Sequence, residues 1–197
     1  MLQNETQCTY NLTEENFSNL LPAYLRKASR LYFTPIHIAQ IASQWLTEGG
    51  KKHVLDIGAG VGKFCITGAS HSDSFFYGVE YRTSLANLAN GLINHFDIKN
   101  ASVHKGNITD VDFNNFNSFY LFNPFYENLI PSMRLNDEVE LAGAAYSYYL
   151  KETEIKLDNS ATGTRLVTYH GNNFEVPESF KKIKETPDGF LKLWIKN

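Results

Sequence analysis

Val54-Leu55-Asp56-Ile57-Gly58-Ala59-Gly60-Val61-Gly62-Lys63-Phe64 is the stretch that decides how this chain folds. Val54 to Ile57 read as a short buried strand, and the residues from Val61 to Ala69 have the spacing of a helix. Between them, glycines at alternate positions hold side chains away, so a ligand can come close to the backbone. The helix N-terminus behind the turn offers N–H groups with no partner inside the helix. In open α/β sheets this crevice, beyond the carboxyl end of the first strand, is where ligands bind. Asp56 places negative charge beside it, which disfavours phosphates and suits an ammonium or sulfonium group.

Outward from the turn, strand and helix alternate. Residues 75–80 form a strand ending in Glu80, residues 84–96 a helix, 101–104 a weaker strand and 119–122 a strong one. Residues 124–136, with Pro124 and Pro131, are a loop before a long helix expected from about Asn136 to Leu157. A fifth strand covers 165–170, and the tail reads as an antiparallel hairpin, 180–185 and 190–195, around Pro187-Asp188-Gly189. Upstream, a helix over 13–30 carries Glu14 and Glu15 in its first turn, and Pro22 breaks or kinks it. A second helix, 36–48, ends at Gly49-Gly50. Arg26, Lys27 and Arg30 read as a solvated helix terminus. Short buried strands alternating with helices imply an α/β fold whose mostly parallel sheet is covered on both faces. The closing hairpin adds an antiparallel edge.

The chain has 197 residues, enough for one full-sized domain. Residues 1–50 are expected to be a helical segment packed on a core formed by 51–197. A hydrophobic share of 43% rules out wholesale disorder, and a formal net charge of -3 argues against clinging to bare duplex by charge alone. Two cysteines, Cys8 and Cys65, cannot make a framework of bridges, and His37, His53, His95, His104 and His170 show no metal spacing. No metal site, signal peptide or membrane span is expected, so the setting is cytoplasmic.

Glu80 stands where a carboxylate can accept both hydroxyls of a ribose. Together with the glycine turn it points to a nucleoside-containing ligand. The G-x-G-x-G spacing and the acid before it favour S-adenosylmethionine (SAM) over a dinucleotide, whose pyrophosphate is cradled by G-x-G-x-x-G. The segments 54–64 and 77–80 resemble motifs I and II of the class I SAM-dependent methyltransferases. The resemblance spans residues 31 to about 170 and implies a Rossmann-like, seven-stranded sheet. It also implies that Asp56, Gly58 and Gly60 line the methionine part of SAM, with Ala59 and Gly62 completing the turn. Glu80, followed by Tyr81, then binds the ribose. Asn107, followed by Ile108, stands where a Gly-Asp pair usually contacts the adenine.

Asn123-Pro124-Phe125-Tyr126 resembles the [Asp/Asn]-Pro-Pro-[Tyr/Phe] motif of methyltransferases that act on planar amino groups. The resemblance implies catalytic roles for Asn123, Pro124, Phe125 and Tyr126, with Asn123 also at the donor. An amide oxygen and a backbone carbonyl there would accept both hydrogens of an –NH2 group and turn its lone pair toward the methyl carbon. Phe125 replaces the second proline. Tyr32-Phe33-Thr34-Pro35 resembles a segment found before motif I, which implies that Thr34 holds the SAM carboxylate. Thr34 can equally cap the helix that begins at Ile36. Tyr146, Tyr148 and Tyr149 read as helix packing, with Tyr148 the one able to face the site.

The expected activity is methyl transfer from SAM to a nitrogen acceptor, a protein side chain or a nucleic-acid base. Protein or RNA is favoured over duplex DNA, because nothing is left over for a target-recognition domain. A non-catalytic SAM-binding or interaction module is the alternative, and an NAD-dependent oxidoreductase is the more distant one.

Overall fold

In the computed structural model, residues 12–123, 125–128, 135–139, 143–171 and 176–197 are described. Seven strands form one sheet: β1 (His53–Ile57), β2 (Phe75–Glu80), β3 (Ala101–Lys105), β4 (Ser118–Phe122), β5 (Arg165–Tyr169), β6 (Phe180–Glu185) and β7 (Leu191–Lys196). Their order is β3-β2-β1-β4-β5-β7-β6. The first five run parallel to one another, and β7 runs antiparallel to both β5 and β6. The order reverses between β1 and β4, so a crevice opens at their carboxyl ends. The expected Rossmann-like, seven-stranded sheet with an antiparallel C-terminal edge is the fold observed.

Helices cover both faces. Helix α3 (Ile36–Thr47) and α4 (Lys63–Ala69) share a core with Val54, Phe76, Tyr120 and Val167, while α5 (Thr83–His95) packs with Val61 and Val103. Leu157 of α6 (Gly143–Asp158) joins Leu55, Ile57, Phe119 and Leu166 in a third cluster. Each such side chain, once fully buried, contributes roughly 1.5–3 kcal/mol.

The helix expected over 13–30 is two helices, α1 (Glu14–Asn19) and α2 (Ala23–Tyr32), broken at Pro22 as its lack of an N–H requires. Thr13 caps α1, accepting the Asn16 N–H at 3.1 Å. Phe17, Leu21 and Leu25 bury against Val61, Leu85 and Leu92. Among the described residues no helix is long and apolar enough to cross a membrane.

Two expectations need correction. Thr34 does not cap α3: Pro35 occupies the cap, and the Ile36 N–H donates instead to Glu14 Oε1 at 2.5 Å. A carboxylate from another helix replaces the local hydroxyl, leaving Thr34 free to bond Tyr120. The helix after β4 begins at Gly143 rather than Asn136. Asn136 and Glu138 lie outside it, their side chains accepting hydrogen bonds from Arg82 and Ser84.

Candidate functional site

The strand-to-helix turn after β1 is held by its neighbour. The N–H groups of Gly58 and Ala59 donate to the Val79 carbonyl at 3.0 and 2.9 Å, and the Gly62 N–H donates to the Ala59 carbonyl at 2.8 Å. Gly62 has φ +71°, and a Cβ there would stand 3.0 Å from Ala89 Cβ, so both backbone and space demand glycine. Gly78 is required for another reason. A Cβ on it would come within 2.5 Å of Ala59 Cβ, so a side chain on β2 would push the turn off the sheet.

Above the turn lies a cavity of about 410 Å3. Its wall includes Gly58 and Gly60 from the turn, Glu80, Tyr81 and Arg82 from the end of β2, and Asn107 and Ile108 after β3. Asn123 and Phe125 contribute from beyond β4, Tyr149 from α6, and Leu31, Tyr32 and Phe33 from the end of α2. Of the site residues expected from the sequence, Gly58, Gly60, Glu80, Tyr81, Asn107, Ile108, Asn123 and Phe125 therefore meet in one space. Thr34, Asp56, Ala59 and Gly62 do not line it. Pro124 lies outside the described residues, as does the side chain of Tyr126.

Glu80 is buried and fully oriented. Its Oε2 accepts the Gly60 N–H at 3.0 Å and its Oε1 accepts the Arg82 N–H at 2.8 Å. Burial pushes its carboxyl pKa up, and these two bonds with the Arg82 charge pull it down. Each oxygen keeps a lone pair for a ligand hydroxyl. The residues present thus fit a ribose.

Asp56 lies behind the turn, accepting from Cys65 Sγ at 3.6 Å. Burial raises its pKa from 3.8 to about 7; the thiol bond opposes the rise and Glu80 adds to it. Thr34 Oγ1 and Tyr120 Oη share a 2.9 Å hydrogen bond beneath the floor, where Tyr120 also stacks on Phe64 at 3.9 Å.

Asn123 (φ +39°), Phe125 (φ +67°) and His170 (φ +56°) carry left-handed backbone at the ends of β4 and β5. Such conformations in residues other than glycine are uncommon and gather at functional sites. Phe122 pairs in register with Tyr169, so Asn123 and His170 leave neighbouring strand ends together. A run of rings, Phe122 to His170 at 5.9 Å and His170 to Phe190 at 4.4 Å, extends outward from the cavity edge.

The sequence reading missed Arg82, Glu127 and Tyr149. Arg82 Nε donates to Asn136 Oδ1 at 3.0 Å, and its terminal nitrogen donates to Glu127 Oε2 at 2.6 Å. A charge two residues past Glu80 and one in a proline-rich loop carry no local signature of pairing. The spacing of Tyr146, Tyr148 and Tyr149 predicts helix packing, with Tyr148 the one able to face the site. Tyr148 is 55% exposed and off the cavity wall, and Tyr149 lines it.

No protein-family model matches the sequence, and no curated protein matches it by sequence. Solved structures do match in shape. An RNA methyltransferase from Salinibacter ruber, in complex with S-adenosyl-L-homocysteine (SAH), superposes with a TM-score of 0.56 at 14% identity, over 82% of this chain and 90% of that one. A putative methyltransferase from Escherichia coli, yhhF, gives 0.60 at 16% identity over 84% and 87%. TrmN from Thermus thermophilus gives 0.61 at 14% over 89% of this chain and 52% of that one. At such identities the likeness is one of architecture, and the chain has the Rossmann-like fold that these methyltransferases share.

Proposed function

We propose that the chain is a SAM-dependent methyltransferase that acts on a nitrogen acceptor, in a protein side chain or a nucleic-acid base. One observation carries this reading: Glu80, held by two backbone N–H groups, shares a single cavity with the glycine turn and with Asn123. Glu80 would grip the ribose hydroxyls, and Gly58 and Gly60 would admit the methionine part against bare backbone. The Salinibacter ruber protein of the same fold, with SAH in its structure, supports this choice of donor.

Bound SAM supplies a methyl group on a sulfonium and is left as SAH. The Asn123 side-chain oxygen accepts a hydrogen from the acceptor amine and aims its lone pair into the cavity, an orienting effect that needs no strong base. Phe125 and Phe122 wall the acceptor side, and rings there favour a planar group. The left-handed backbone at Asn123 and Phe125 fixes where these groups point. The proton displaced from nitrogen passes to water.

Calorimetry with SAM, SAH and NAD tests the donor, and tritiated-methyl transfer into fractionated lysate with RNase, DNase and protease controls tests the acceptor. Wild-type chain should bind SAM and SAH but not NAD. Asn123→Ala should lower kcat by about 100-fold or more while SAH affinity changes only a few-fold. Binding of NAD alone would overturn the proposal. SAM binding without transfer into any fraction would make the chain a binding module.

A further inference from the structure

The hydrogen bonds around the turn after β3 fix which way its polar groups face. Asn107 caps the 3-10 turn Ile108–Asp110, its Oδ1 accepting the Thr109 N–H at 3.2 Å. A backbone N–H is only a donor, so the oxygen must face Thr109 and the amide nitrogen must face away. That nitrogen donates to Tyr149 Oη at 3.3 Å. Both ends of the Asn107 amide are therefore engaged by the protein. The Tyr149 hydroxyl, having accepted from Asn107, still has its own proton to donate. Tyr149, Asn107 and Ile108 all line the cavity, and Ile108, first in its turn, has an N–H with no acceptor inside that turn.

We infer that Tyr149, reaching across from α6, reads the donor's adenine by giving its hydroxyl proton to a purine ring nitrogen, with Asn107 setting the direction of that hydroxyl. This rests on the donor reading proposed above. The ligand edge it selects carries acceptors, which is the character of adenine's ring nitrogens. The Tyr149 ring also packs against Phe125 at 5.2 Å, so the residue that meets the adenine braces the acceptor wall too.

The test is calorimetry of SAH and of its 1-deaza, 3-deaza and 7-deaza analogues with wild-type chain and with Tyr149→Phe. The phenylalanine keeps the ring against Phe125 and removes only the hydroxyl. Loss of one hydrogen bond should weaken SAH binding by about 3- to 10-fold. One deaza analogue should bind wild-type chain more weakly by a similar factor and show no further loss with Tyr149→Phe. Equal SAH affinity for the two proteins overturns the inference, as does any pattern in which every analogue loses the same factor from both. If SAH binds neither protein, the donor reading itself falls, which is a distinct result from binding that is indifferent to Tyr149.

Discussion

Asp56 shows how one side chain acquires a property that its sequence neighbours do not disclose. Its position at the end of a buried strand takes it out of water, and desolvation favours the neutral acid. With a folded pKa of about 7 against an ordinary 3.8, the folded chain holds a proton that the unfolded chain has lost between those values. Its contribution therefore makes the fold less stable as pH rises from about 4 through 7, and the penalty is full above that range. Glu80, also raised by burial, acts in the same direction. Urea midpoints measured at pH 5 and pH 8 should drop more for wild-type chain than for Asp56→Asn. Equal drops would mean that Asp56 stays ionised throughout.

Helices α1, α3 and α4 are joined by a single carboxylate. Glu14 accepts from the Ile36 N–H through one oxygen and from Lys63 Nζ, at 2.6 Å, through the other. Lys63 is 3% exposed and its ammonium lies over the Phe17 ring at 5.5 Å. A first-turn acid, read from the sequence as serving its own helix, thus caps a different one and neutralises a buried cation. Glu14→Ala leaves an uncapped N–H and an unpaired ammonium, and should cost about 2 kcal/mol in chemical denaturation. Glu15→Ala, one residue along on an exposed face, is the control and should fall within about 0.5 kcal/mol of wild type. Equal losses for both variants would mean that α1 is held by its apolar face alone.

Across the molecule, the segment beyond β4 is fastened to the far side of the cavity. Arg82 bonds Glu127 and Asn136, Glu127 also accepts the Leu135 N–H at 3.0 Å, and Glu138 accepts from Ser84 at the start of α5. This clasp joins the wall that carries Asn123 and Phe125 to the strand end that carries Glu80. Arg82 and Glu127 are both largely buried, so breaking the pair leaves charge without solvent. Glu80 stays 3.9 Å from Arg82 and offsets part of that loss. Glu127→Gln should therefore cost about 1–3 kcal/mol, read as a Tm lower by several degrees. An unchanged Tm would show the clasp to be solvated.

Periodicity placed the strands, the glycine turn and the closing hairpin correctly, because those features come from neighbours along the chain: alternation, punctuation and left-handed turns. The residues from Val54 to Phe64 carried the fold for that reason, and of them Gly58 and Gly60, with Glu80, line the cavity. Pairings between distant residues left no such trace. Glu14 with Ile36 and Lys63, Thr34 with Tyr120, Arg82 with Glu127, and Asn107 with Tyr149 each depend on where the sheet brings two elements together. A hydroxyl or a charge looks the same in sequence whether it meets water or a buried partner. Local order follows from short-range sterics and capping, whereas side-chain partnership is settled by packing, and packing is a property of the assembled sheet and its helices.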